Sequence, residues 1–315
     1  MTEGAPARVA FVETVEHRRF VEFCDACRHY RYIGLCYGSP GVGKTLSARR
    51  YADWDALVSV GVHQMTDAQV RALGVPASLF YTPGVVNTPR SVGEDLGHGR
   101  RLLHQIARES VHRTYREAIS ALYEDYQRQC DTWFYRVRRE GSSQLVPPEK
   151  PNDTTLIREC SEAEAAIPEP TRLILIDEAD RLKMASLEAV RDLFARGDWG
   201  LILIGMPGIE KRMARYPQFY SRIGFVHEFR PLGVAEIRRL LAGGWRPSGI
   251  TLGPDDEDSL ARVARVARVT GGNFRLLHRL LAQAERIARL NGLGAITGPV
   301  VDAARESLVI GSSLT

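Results

Sequence analysis

The sequence predicts an α/β fold with a buried parallel sheet, followed by an all-helical C-terminal domain. Three observations predict it. Leu173-Ile-Leu-Ile176 and Leu201-Ile-Leu-Ile204 are continuous apolar runs separated by a helical stretch at 184–196, the pattern of parallel strands covered on both faces. A glycine-rich turn, Gly38 to Gly43, lies between an apolar segment and a helical one. After Pro231 the strand signal stops, and helices are expected at 233–242, 256–269, 274–290 and 299–309, with Gly271-Gly272 as a break and Thr297 as a cap for the last.

The N-terminal part reads in order. Residues 12–30 have the spacing of an amphipathic helix, and Tyr32 to Tyr37 that of a short buried strand. A helix is expected from Lys44 to about Trp54, a strand at Leu79 to Tyr81 and a helix over 91–109. Residues 110–140 continue as a long polar helix carrying Tyr115, Ile119, Leu122, Tyr126 and Trp133, and Gly141 to Thr155 reads as a mobile loop. The expected division is an N-terminal helical segment at 1–30, a core at 31–231 with an insertion at 110–155, and a helical domain at 232–315.

Composition narrows the class. With 315 residues, 44% of them hydrophobic, the chain can bury a real core. No apolar run is long enough to span a bilayer, and Met1 to Arg8 lacks the pattern of a signal peptide, so a cytoplasmic protein is expected. Cys24 and Cys27 form a C-x-x-C without the second pair that a zinc site takes, and Cys36, Cys130 and Cys160 are scattered, so ordinary thiols are expected. The net charge is +4, with arginine clustered: nine against five acids over 100–139, and seven against Glu285 over 260–291. Such clusters suit a phosphate backbone, and they equally suit solvated helix faces in a chain with only four lysines.

The most specific motif is Gly38-Ser39-Pro40-Gly41-Val42-Gly43-Lys44-Thr45, a match to G-x-x-x-x-G-K-[ST] in the strand-to-helix context that it requires. Its backbone N–H groups and the helix N-terminus suit phosphate. Lys44 is expected on the β- and γ-phosphates of ATP, Thr45 on Mg2+, and Leu46 beside the nucleotide. A second motif, Leu173 to Asp180, delivers Asp177 to the metal and Glu178 to the attacking water as general base. Arg222, beyond the fourth strand, has the position of an arginine finger, and Arg275 opens a helix of the second domain; for each, an ordinary surface arginine is the alternative.

Together these residues resemble the AAA+ superfamily, and within it the transposition regulators of the phage Mu B, TnsC and TniB type. The matching stretches are Phe11-Val-Glu-Thr14, Gly41 to Thr45, Ile176 to Leu182, Gly200 to Gly205 and Phe219-Tyr-Ser-Arg-Ile223. The resemblance implies a P-loop AAA+ core with a helical lid and ATP-dependent assembly into rings or helical filaments on duplex DNA. It also implies recruitment of a transposase, a possible target-selector partner, and disassembly on hydrolysis. It assigns Arg222 as the finger and Arg275 as the lid sensor. It places DNA near Thr82 to Arg101, with Arg90, Arg100 and Arg101 as candidate phosphate contacts. Two departures stand out. Met206 occupies the position of a polar sensor, which implies slow hydrolysis or a substitute residue, and 110–155 has no counterpart role. A helicase loader or origin-type ATPase shares the core motifs. A signalling switch acting through protein contacts, or an inactive nucleotide-gated scaffold, are the remaining alternatives.

Overall fold

The computed structural model describes residues 11–59, 77–140, 145–242 and 257–308. The chain enters through α1 (Val15–Tyr30), whose Thr14 hydroxyl accepts from the His17 N–H at 3.0 Å. Glu16, His17, Phe20, Phe23, Cys24 and Cys27 are its buried residues, spaced so that they form one stripe. That stripe lies on the sheet, and burial pushes the Cys27 thiol up to about 12. Cys24 and Cys27 are thus core residues beside Cys36.

The sheet has β1 (Ile33–Tyr37), β2 (Ser78–Tyr81), β3 (Leu173–Ile176), β4 (Gly200–Gly205) and β5 (Ile223–Glu228) in the order β2-β3-β4-β1-β5. All neighbours are parallel. β3 and β4 are buried along their whole length, as their unbroken apolar runs predict. The fifth strand is a difference from the sequence reading. β5 alternates half-buried Ile223, Phe225 and His227 with exposed Gly224, Val226 and Glu228. It is an edge strand with no continuous apolar signal.

Two helices follow the glycine turn where one is predicted. α2 (Lys44–Tyr51) stops before Asp53, whose φ is +47°, and α3 (Trp54–Ser59) begins after it. The helices expected at 91–109 and 110–140 are one, α4 (Pro89–Glu140), of 52 residues and roughly 78 Å at the rise of an α-helix. Val92, Leu96, Leu103 and Ile106 bury its first half against the core, and after Ala107 no described residue of the helix is buried. The segment after the loop returns along it. α5 (Thr154–Ala165), absent from the sequence reading, has no buried residue and is tied to α4 by polar contacts. Glu164 meets Arg108 and His112, Asp153 accepts from the Tyr123 hydroxyl at 3.1 Å, and the Leu145 carbonyl accepts from Trp133 Nε1 at 3.1 Å. The loop expected at 141–155 therefore ends in a helix from Thr154, and its first four residues lie outside the described ones.

α6 (Met184–Arg196), α7 (Ile209–Ala214) and α8 (Pro217–Tyr220) complete the first part. The C-terminal part contains α9 (Val234–Ala242), α10 (Glu257–Thr270), α11 (Phe274–Leu290) and α12 (Gly298–Glu306). They share a separate apolar cluster around Ile237, Val266, Leu277, Leu280 and Val301. Thr297 occupies the cap position of α12, but its hydroxyl makes no capping bond. Pro299 at the second helical position has removed one of the N–H groups that it would accept. Glu236 of α9 accepts from the Val15 N–H at 2.7 Å, joining the helical part to the start of α1.

His227 of β5 is packed between Phe23 and Phe20, with Nε2 3.1 Å from Glu16 Oε1. Burial lowers its pKa to about 4, with help from Arg19 and Arg230 and against Glu228, while burial raises that of Glu16. A histidine whose folded pKa is depressed stabilises the fold fully above its unfolded value and loses that contribution as pH falls toward the folded value. Unfolding midpoints in urea should therefore drop between pH 6.5 and 4 more steeply for the wild type than for His227→Gln; parallel pH profiles would contradict this assignment.

Candidate nucleotide site

Parallel strands end on one side of the sheet, and there the loops after β1, β3 and β4 converge on a cleft of about 960 Å³. Gly38, Ser39, Pro40, Gly41, Val42 and Gly43 turn between β1 and α2. Gly38 packs so closely on the Phe229 carbonyl that a Cβ would lie 2.3 Å from it. Gly41 and Gly43 have φ of +83° and +118°, a region that only glycine enters freely. Gly43 is the N-cap of α2, so Lys44 opens the helix at its positive end.

Lys44 is 8% exposed, and its Nζ donates to the carbonyls of Gly38 at 2.5 Å and Ser39 at 3.0 Å. Burial lowers its pKa, opposed by the negative charges of Asp177 and Asp180 among others. The ammonium is thus anchored inside the loop that it would complete around phosphate. The Thr45 hydroxyl donates to Asp177 Oδ2 at 2.6 Å, and the other Asp177 oxygen accepts from the Glu178 N–H at 2.9 Å. A hydroxyl at the open cleft paired with the carboxylate of the buried Asp177 is a hard-oxygen donor set of the kind that Mg2+ takes. The residues therefore fit the metal: Thr45 and Asp177 would hold it, and it would supply positive charge against the negative charge of the phosphates. Leu46 is exposed on the wall of the same cleft.

Glu178, just after β3, adopts a left-handed φ of +48°. Its carboxylate forms an ion pair with Arg181, and Arg181 also donates to the Pro83 carbonyl at 3.2 Å. Met206 stands where the sequence places it, at the end of β4, with an exposed thioether side chain. Its backbone N–H donates to Asp180 Oδ2 at 2.7 Å. A carboxylate on the cleft wall thus accompanies the missing polar sensor; Asp180, third acid of the Asp177-Glu-Ala-Asp180 run, was not singled out from the sequence.

Arg275 is exposed at the cleft, two residues into the turn that begins with Asn273. Phe11, Val12, Arg50, Phe274, His278 and Arg279 also line it. Sequence reasoning did not find these wall residues, although Arg279 stands one helical turn beyond Arg275, a spacing visible in the sequence. Arg222 is elsewhere. It precedes β5, and its carbonyl accepts from the Ile33 N–H at the opposite end of β1, about 16 Å of strand away from the cleft.

The candidate DNA residues divide. Arg90 is exposed at the start of α4 and pairs with Glu94 at 2.7 Å, and Arg101 is exposed one turn after Gly97. Arg100 faces inward: its guanidinium lies 4.3 Å from the Trp199 ring centre and 2.7 Å from Glu169. Much of the arginine of 100–139 is likewise paired within the fold, through Arg108–Glu164, Arg113–Glu109 and Arg128–Asp125.

The sequence matches the AAA domain family over residues 27–213. The chain belongs to that family, and the fold and the phosphate loop are those of an AAA+ nucleotide-binding protein. A Staphylococcus aureus protein described as a potential ATP-binding protein is 35% identical over 313 residues, covering 96% of this chain and 97% of its own length. Similar folds occur in Cdc6p from Pyrobaculum aerophilum (TM-score 0.54, 15% identity, 98% of this chain and 71% of that one). They also occur in the RuvB Holliday junction branch migration motor of Thermotoga maritima (0.51, 13%, 96% and 71%). The Aeropyrum pernix ORC1 protein in complex with DNA is another (0.50, 18%, 96% and 67%). At these identities the likeness is one of fold. Among the described residues no helix is long and apolar enough to cross a membrane.

Lys44→Ala should weaken ATP binding about 10- to 100-fold in titration calorimetry, the 1.5–3 kcal/mol of a charge-assisted contact. An unchanged affinity would detach the ammonium from phosphate.

Proposed function

We propose that the protein is an ATP-dependent, sequence-nonspecific DNA-binding ATPase that oligomerises on target DNA, recruits or activates a transposase, and is released by hydrolysis. The observation that carries the oligomeric part is the position of Arg222. A finger at the β5 end of the sheet is too far from its own cleft to reach a phosphate there, so its partner is the cleft of a second copy. ATP bound by Lys44 and the phosphate loop would then lie between two subunits, with Thr45 and Asp177 holding Mg2+. Glu178, freed from Arg181, would take the proton of the attacking water, and Arg222 of the adjoining copy would offset charge on the transferred phosphoryl group.

DNA binding is supported by Arg90 and Arg101, exposed on the first turns of the helix that follows β2. It is supported also by fold likeness to RuvB, a branch migration motor, and to an ORC1 protein in complex with DNA. Arg100, already engaged by Trp199 and Glu169, is the weakest of the three candidates. Transposition rests on the Phe11-Val-Glu-Thr14 and Phe219-Tyr-Ser-Arg-Ile223 stretches. The second reading, an origin-type ATPase or helicase loader, is favoured by the likeness to ORC1 and Cdc6p. A transposase gene of the integrase type beside this one would favour the first.

Duplex DNA of arbitrary sequence should be retained on filters at much lower protein concentration with a non-hydrolysable ATP analogue than with ADP, and the difference should shrink as salt rises. Equal retention in both nucleotide states would defeat the DNA-switch reading. Glu178→Gln should accumulate ATP-bound oligomers in sedimentation, whereas Arg222→Ala should bind ATP with wild-type affinity and lose turnover by about 1,000-fold or more, as removal of a finger does. Turnover unchanged in Arg222→Ala would remove the finger.

A further inference from the structure

The helical lid is fastened to the phosphate loop by one side chain that works in two directions. Asn273 is the N-cap of α11, and its Oδ1 accepts from the N–H groups of Arg275 at 3.1 Å and Leu276 at 3.2 Å. Its Nδ2 donates at 2.6 Å to the carbonyl of Pro40, in the middle of the phosphate loop. The Arg275 N–H also donates to the next carbonyl, Gly41, at 3.0 Å. The fit is close: a Cβ on Gly41 would lie 2.6 Å from Asn273 Oδ1 and 2.9 Å from Arg275 Cβ. The approach of the lid is fixed from behind as well. Gly272 has φ +73°, its carbonyl accepts from the Leu232 N–H at 2.9 Å, and a Cβ there would meet the Leu232 carbonyl at 2.1 Å.

The two loop carbonyls belong to the peptide units whose N–H groups are those of Gly41 and Val42. In a planar trans peptide the C=O and N–H point in opposite directions. A phosphate that draws those N–H groups inward therefore turns the Pro40 and Gly41 carbonyls outward, toward the lid. Asn273 meets the outward face of the same units, and Arg275 follows two residues later with its side chain on the cleft.

We propose that Asn273 is a positioning residue that reads the conformation of the phosphate loop through its amide donor and sets Arg275 on the γ-phosphate. This rests on the ATP reading of the cleft and adds a route by which the lid distinguishes triphosphate from diphosphate. The capping and the reading functions are separable, because an aspartate keeps the acceptor oxygen and loses the donor.

The experiment uses the full chain as wild type, Asn273→Asp, Asn273→Ser, Arg275→Ala and Asn273→Asp/Arg275→Ala. Affinities for a fluorescent non-hydrolysable ATP analogue and for fluorescent ADP are measured together with thermal midpoints. Asn273→Asp and Asn273→Ser, which both retain a capping oxygen and lose the bond to Pro40, should lower the thermal midpoint by no more than about 4 °C. Each should bind the triphosphate analogue about tenfold more weakly, the scale of one lost hydrogen bond in such a site, with ADP affinity changed less than about threefold. In the Arg275→Ala background Asn273→Asp should add nothing to that loss. Equal weakening of both nucleotides, no weakening of either, or a full further loss in the Arg275→Ala background would overturn the proposal while leaving ATP binding intact. A wild-type chain that binds neither nucleotide would instead overturn the nucleotide reading and this inference with it.

Discussion

The hydrogen bond from the Thr45 hydroxyl to Asp177 joins two segments that are 132 residues apart in the chain. Everything else at the cleft is arranged around that meeting. It is possible because β1 and β3 run parallel in one sheet with β4 between them, so that the loops following both strands leave from the same edge. The sheet in turn is held by the apolar surfaces of β3 and β4, covered on both faces. Burial of Asp177 has a cost in desolvation, offset here by two hydrogen bonds to the carboxylate. The result is a hydrogen-bonded floor of side-chain oxygens under a loop rich in backbone donors.

Around that floor, the helical C-terminal part is attached by few polar contacts among the described residues. The lid touches the phosphate loop through Asn273 and the Arg275 N–H, and touches α1 through Glu236 and Val15. Its own core, around Leu277, Leu280 and Val301, is separate from the two clusters that flank the sheet. A body with its own core and few polar attachments can shift as a unit when the loop changes, because little apolar surface must be exposed to let it move. Glu178 is held by Arg181, which also binds the loop after β2 through Pro83. The carboxylate proposed as general base and the loop proposed to face DNA thus share one guanidinium.

The arm formed by α4 and α5 is a different kind of construction. Beyond Ala107 none of the described residues of α4 is buried and none of α5, and the arm is held by Glu164, Asp153 and the Leu145 carbonyl. Exposed ion pairs contribute little each, so the arm depends on its continuity with the buried first half of α4. Arg108, Arg113 and Arg128 there are paired with acids of the arm, and this weakens the simplest inference from charge counting.

The sequence by itself determined what short-range chemistry encodes: the phosphate loop, the strand that delivers Asp177, the buried runs of β3 and β4, and the helical C-terminal part. These are legible because a motif with fixed spacing, or an apolar run of a given period, reflects contacts made within a few residues. Only the tertiary structure decided the rest. β5 is an edge strand whose alternating exposure leaves no continuous run, and α5 has no apolar stripe deep enough to be buried. Arg90, Arg100 and Arg101 look alike in the sequence, yet Arg100 alone meets Trp199 and Glu169. Asn273 acquires its second partner only where the fold sets the Pro40 carbonyl against it. In each case the deciding partner lies far along the chain, and its approach is a property of packing that no local pattern carries.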